Sequence, residues 1–198
     1  MSQRRLSTGK IATFFLGVLA VAVIGGFMAK DFMGRFAGAG TCAPEDGTFK
    51  RFEAVDARPE APGAPILDAA GKQRRLAEWQ GKGVVLNFWA TWCAPCVKEM
   101  PQLDRLKALL ATHGIDVLAV SEDREGIAVA KTFHEVNKLR DLAVMVDPKG
   151  DLLRAFKGRG LPTTVLIDKQ GRHVATVTGA AEWDAPEVVG FLKGCLGG

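Results

Sequence analysis

The apolar run Val84-Val85-Leu86-Asn87-Phe88-Trp89 leads, after Ala90-Thr91, straight into Trp92-Cys93-Ala94-Pro95-Cys96, and a helical pattern follows. A buried strand that turns at once into a helix, with two cysteines at the turn, constrains this chain more than any other segment. Cysteines two residues apart on the first turn of a helix bring their sulfurs within disulfide range, and the positive helix end stabilises a thiolate on the first. Thiol-disulfide exchange is the chemistry this supports, with Cys93 the expected nucleophile and Cys96 the resolving thiol. Pro95 fixes its own φ and lacks an N–H, both of which suit the first turn of a helix. Trp92 reads either as a lid over the sulfurs or as a core aromatic.

The same spacing also opens zinc sites, but a closed site needs two further ligands, usually a second close pair. Cys42 and Cys195 are isolated, and His113, His134 and His173 stand far from the cysteine pair and from one another. No metal and no other cofactor is therefore expected.

The rest of the chain alternates strand and helix as an α/β fold should. Ile66-Leu67-Asp68 and Gln73 to Leu76 flank Ala69-Ala70-Gly71-Lys72 as a short hairpin extension, and Ala77 to Gly81 forms a turn before the first core strand. Residues 95–112 form a helix kinked at Pro101, Ile115 to Ser121 a strand, 126–138 an amphipathic helix and Leu142 to Val146 a strand. Asp151 to Phe156 reads as a short helix after the turn Asp147-Pro148-Lys149-Gly150. Thr163 to Ile167 pairs with His173 to Val177 across Asp168-Lys169-Gln170-Gly171, and Glu187 to Leu196 closes as the last helix.

Ahead of this domain, Ile11 to Met28 carries no charge and follows Arg4, Arg5 and Lys10. Such a run is at the lower limit for spanning a bilayer and longer than a typical signal-peptide core. Residues 1–30 are expected to be an uncleaved signal anchor with 11–28 in the membrane, although Ala37-Gly38-Ala39 would pass as a cleavage site. The basic flank keeps the N-terminus in the cytoplasm, which puts the catalytic domain in the periplasm. Residues 31–63, rich in Gly, Ala and Pro, read as a linker, and 64–198 as the domain. Of 26 basic and 22 acidic residues, four basic and no acidic ones fall in 1–30, leaving 22 of each sign beyond. The exported part is neutral overall and gives no support for nucleic-acid binding.

Once the catalytic pair is set aside, Cys42 and Cys195 remain, and an even remainder in an exported chain suggests a structural disulfide between them. A lipid on Cys42 is disfavoured because Thr41 stands where a small residue is expected.

The stretch Asn87 to Pro101, with Trp92-Cys93-Ala94-Pro95-Cys96 at its centre, resembles the thioredoxin superfamily and, within it, the membrane-anchored TlpA/ResA branch. Gly160-Leu161-Pro162-Thr163-Thr164-Val165 fits the same branch, and Gly179-Ala180-Ala181-Glu182-Trp183 is similar to its TlpA side. The resemblance covers about residues 60–195. It implies a thioredoxin fold, a central mixed sheet flanked by helices, in which Pro162 matches the family's cis-proline and the Leu161 backbone faces the dithiol to bind substrate. Glu99 matches an active-site glutamate of the ResA side; read without the family, it is equally a solvated helix carboxylate. Asn87 stands where thioredoxin itself has a buried Asp. TlpA also has a second cysteine pair, although its later member falls in the turn matching 169–172 and not in the last helix.

Partners implied by the resemblance are protein disulfides on a copper chaperone, a cytochrome oxidase subunit or apocytochrome c, together with an upstream membrane electron donor. A peroxidase would want Thr three residues before the attacking cysteine, where Ala90 stands. A non-catalytic copper carrier using Cys93 and Cys96 is the rival from the binding class, since Cu(I) prefers soft thiolates.

Overall fold

A computed structural model describes residues 42–197 as β1 (Phe52–Ala54), β2 (Ile66–Asp68), β3 (Gln73–Arg74), β4 (Gly83–Trp89), α1 (Ala94–Leu110), β5 (Ile115–Ser121), α2 (Ile127–Val136), β6 (Met145–Val146), α3 (Asp151–Ala155), β7 (Thr163–Ile167), β8 (His173–Thr178) and α4 (Pro186–Leu196). The eight strands form one sheet in the order β1-β8-β7-β4-β5-β6-β2-β3. Central β4 runs parallel to β5 and antiparallel to β7, so the sheet is mixed. All seven residues of β4 are buried, which is why its sequence is a continuous apolar run and not an alternating one.

Period-two geometry divides that run between two cores. Val85 and Trp89 face a cluster with Met100, Leu103, Leu106 and Leu110 of α1 and Val188, Leu192 and Leu196 of α4. Val84, Leu86 and Phe88 face the opposite cluster, with Leu152 of α3, Phe156, Trp79 and Ile66. Sheet and helices therefore clamp the end of β4 from both sides, and the turn into α1 inherits that rigidity.

Most of the expected elements are present, including the hairpin β2–β3, which joins the sheet through β6. Two places differ. Residues 76–79 form a turn of 3-10 helix, closed by Glu78 reaching back to the Arg75 amide. Leu142 to Val144 does not extend β6, because the Asp104 carboxylate takes the amides of Arg140, Asp141 and Leu142 at 2.8–3.1 Å. Helix α1 runs unbroken through Pro101.

The largest correction concerns the linker. Residues 42–63 are part of the domain: β1 pairs with β8, and Glu60 bridges Arg172. Phe49 is buried against Phe52, Trp183 and Phe191 at ring separations of 5.6–5.8 Å, and this aromatic contact holds the segment down. Cys42 is buried and disulfide-bonded to Cys195 near the end of α4, with Cα atoms 4.9 Å apart. The expected anchor, 1–30, and the first part of the linker lie outside the described residues. Among the described residues no helix is long and apolar enough to cross a membrane.

Candidate active site

β4 ends at Trp89, and a tight connection returns the chain as α1 with Cys93 in the N-cap position and Pro95 in the first turn. An N-capping cysteine has its sulfur beside the unpaired amides of the first turn, where a thiolate is favoured. Cys93 and Cys96 are joined in a disulfide, their Cα atoms 5.2 Å apart. Cys93 keeps 6% of its surface accessible and Cys96 none, so only the first sulfur can be reached from outside.

Trp92 is 70% exposed, which removes the core alternative and leaves a large aromatic side chain in solvent, next in sequence to Cys93. The connection that carries it is held by Asp123, a carboxylate only 1% exposed. Asp123 accepts from the Thr91 amide at 3.0 Å, the Thr91 hydroxyl at 2.7 Å and the Ser121 hydroxyl at 2.7 Å. Thr91 and Asp123 lie 32 positions apart and no local pattern links them, so the sequence alone did not flag Asp123.

The Leu161–Pro162 peptide is cis, as the family resemblance implied. Thr163 pairs with Phe88 in the β4–β7 register, which sets Pro162 at the same end of the sheet as Ala90 and the dithiol. Pro162 is buried and Leu161 is half-buried, packed against both cores.

Glu99 is only 2% exposed, so it is not a solvated helix carboxylate. One turn beyond Cys96 on α1, it accepts from Asn87 Nδ2 on one oxygen at 2.8 Å. Its other oxygen accepts from Trp183 Nε1 at 3.0 Å and from the Ala181 amide at 3.4 Å. Burial raises its pKa from 4.5 to about 7, against the lowering effect of these three donors. The carboxyl thus exchanges its proton near neutral pH, as a general acid or base should. A cavity of about 240 Å³, lined by Ala94, Pro95, Lys98, Glu99, Gln102 and Ala180 among others, opens it to solvent.

A further shifted acid, half-buried, was not anticipated. Glu122 follows β5, and burial together with the neighbouring Asp147 raises its carboxyl to about 8. Among the histidines, His134 is buried and His113 exposed, and neither is a sequence neighbour of the dithiol.

A helix-capping disulfide opposite a cis-proline on this mixed sheet defines a thioredoxin-fold thiol-disulfide oxidoreductase. The chain belongs to the AhpC/TSA family, which it matches over residues 57–175. The thiol-disulfide oxidoreductase ResA of Bacillus cereus is 37% identical over 133 residues, 67% of this chain and 76% of that protein. ResA of Bacillus subtilis is 34% identical over 134 residues, 68% of this chain and 74% of that protein. Among solved structures, a putative thiol:disulfide interchange protein DsbE from Chlorobium tepidum superposes with a TM-score of 0.60 at 28% identity, over 70% of this chain and 99% of that one. The pneumococcal exposed lipoprotein thioredoxin from Streptococcus pneumoniae gives 0.57 at 33% identity, over 66% and 97%.

Proposed function

We propose that this oxidoreductase works as a reductase of protein disulfides, exported and tethered to the inner membrane by residues 1–30, with its dithiol in the periplasm. The observation that carries the reading is the asymmetry of the pair: an accessible Cys93 at the helix N-cap and a fully buried Cys96 behind it.

Chemistry follows from that asymmetry. The Cys93 thiolate attacks one sulfur of a substrate disulfide, forming a mixed disulfide and releasing the first substrate sulfur as a thiolate that takes a proton from water. Cys96 then loses its proton to the Glu99 carboxylate and attacks the Cys93 sulfur. The mixed disulfide breaks, the second substrate thiolate leaves, and two electrons have passed to the substrate. Trp92 and the Leu161–Pro162 backbone flank the accessible sulfur and receive the substrate segment. The protein is left with the Cys93–Cys96 disulfide, which an upstream membrane donor must reduce.

The clients fitting this chemistry are proteins whose cysteine pairs must be reduced before they bind copper or haem: a copper chaperone, a cytochrome oxidase subunit or apocytochrome c. Similarity of the 179–183 segment to the TlpA side of the branch favours the copper-site clients.

Equilibrating the full chain with glutathione or dithiothreitol gives the reduction potential. A value near about −270 mV supports a reductase, while one toward about −120 mV makes the protein a disulfide donor and ends the assembly role. Cys96→Ser is expected to trap a mixed disulfide through Cys93, and Cys93→Ser to form none. Steady peroxide consumption by the reduced protein would move it instead to peroxidase chemistry.

A further inference from the structure

Three side chains on one face of α1, Glu99, Gln102 and Arg105, meet the connection between β8 and α4 in order. Glu99 accepts from Ala181 and Trp183, Gln102 donates to Glu182 at 2.6 Å and accepts from the Trp183 amide at 3.2 Å, and Arg105 pairs with Asp184 at 2.7 Å. Residues three apart on a helix share a face, so this is one polar seam running away from the dithiol. Its innermost link is the indole of Trp183.

We propose that Trp183 is a positioning residue for disulfide exchange: its indole N–H fixes the Glu99 carboxyl so that the proton is taken and given by one particular oxygen, the one facing Asn87. The inference rests on the exchange role given to Glu99 above.

Trp183 is fully buried and wedged against Phe49 at 5.8 Å, while its own amide is held by Gln102, so the indole has no freedom to turn away. An indole nitrogen is a donor only. Oε2 of Glu99 therefore faces two N–H groups, from Trp183 and Ala181, and cannot present a proton of its own in that direction. The proton must sit on Oε1. There the partner is Asn87, whose Nδ2 donates to Oε1 and to the Thr164 hydroxyl, while its Oδ1 is buried without a partner. Turning the Asn87 amide end for end presents Oδ1 to both, so it accepts from protonated Glu99 and from the Thr164 hydroxyl. Asn87 follows the proton, and Trp183 decides where the proton goes.

Packing alone does not explain an indole here. Trp89, equally buried, has an Nε1 with no partner among the described residues, so this fold tolerates an unpaired indole; at Trp183 the N–H is spent on the carboxyl one turn beyond Cys96.

The groups around Glu99 are few. Asn87 on β4 and Thr164 on β7 are uncharged. Among the described residues the titratable ones are Lys98 on α1 and Glu182 on the connection, the last already bound to Gln102, joined in the reduced protein by Cys93 at the N-cap and Cys96 on α1. In the resolving step the Cys96 proton moves to Oε1 as the Cys96–Cys93 bond forms and the substrate thiolate leaves; water exchanging through the cavity removes that proton afterwards.

The test uses the oxidised, ¹⁵N-labelled full-length chain, in which the four tryptophans give four indole signals. One indole proton is expected to move with a midpoint near pH 7, and to lose that midpoint in Glu99→Gln. Trp183→Phe is expected to shift the Glu99-dependent limb of the pH–rate profile for resolution upward by about one to two pH units, the worth of a hydrogen bond to a charged group. In the Glu99→Gln background the same change is expected to shift nothing. An indole set with no titration near neutrality, an unshifted profile in a folded Trp183→Phe, or an equal shift in both backgrounds would each overturn the role of Trp183. Should Trp183→Phe not fold, the indole titration of the unaltered protein decides alone. A dithiol that exchanges with neither glutathione nor dithiothreitol would sink the reductase reading itself, an outcome that the indole titration does not share.

Discussion

Replacing Glu99 with Gln should make the oxidised protein's stability less dependent on pH, and the size follows from the carboxyl's surroundings. Folded, Glu99 titrates at about 7; as a free side chain it titrates at 4.5. Between those values the folded protein holds a proton that the unfolded chain has released, so stability falls as pH rises across the window and is fully present below it. Each pH unit is worth about 1.4 kcal/mol, which makes the loss from this one group roughly 3 kcal/mol by pH 7. Gln keeps the shape and the donors: its oxygen can face Trp183 and Ala181, and its amide can donate to Asn87 Oδ1 once that amide has turned. Urea unfolding of both proteins with disulfides intact, from pH 4.5 to 8, is the assay. The wild-type curve should fall relative to the variant's across that window and run parallel above it. Curves parallel throughout would mean that Glu99 is not desolvated as described, and the proton route through it would fail.

Three further outcomes are expected. Gly83→Ala should cost about 1–3 kcal/mol in thermal or urea unfolding, because its new methyl carbon would lie 2.7 Å from Leu196 Cβ and 2.8 Å from the Leu196 carbonyl oxygen. Replacing Cys42 and Cys195 together by Ser should lower stability by up to about 5 kcal/mol in the chain-entropy model, since the bridge closes a separation of 153 residues. Burial lowers the pKa of His134 below its usual 6.5, so its neutral form is the folded one and stability is lost as pH falls through that region; His134→Gln should remove that acid limb from the unfolding curve.

What the sequence made legible was whatever is written locally. The Val84 to Trp89 run, the cysteine pair with Pro95, and the turns at Asp147 and Asp168 each signal their own structure within a few residues. What it hid was long-range. β1 is three residues long and sits in a stretch whose Gly and Pro content suggests a linker; only the spacing of Phe49 and Phe52 hinted that it had apolar surface to bury. The start of β6 was placed too early because Asp104, some 36 to 38 positions away, supplies the acceptors that a strand neighbour would have supplied. Glu99 was marked by its place after Cys96, but whether it was wet or dry depended on Trp183, 84 positions later. Trp92 was undecidable for the opposite reason: among the described residues nothing distant covers it.

The sheet begins and ends in strands of three and two residues, β1 and β3. Edges that short offer almost no free row of amides and carbonyls, so at β1 and β3 the domain carries little template for edge-to-edge aggregation. On the function proposed above, a client segment that needs backbone pairing finds it at the Leu161–Pro162 loop, at the end of the sheet where β4 turns into the dithiol. On that reading, short strands at both ends of the sheet favour docking of an incoming strand beside the dithiol over pairing along β1 or β3.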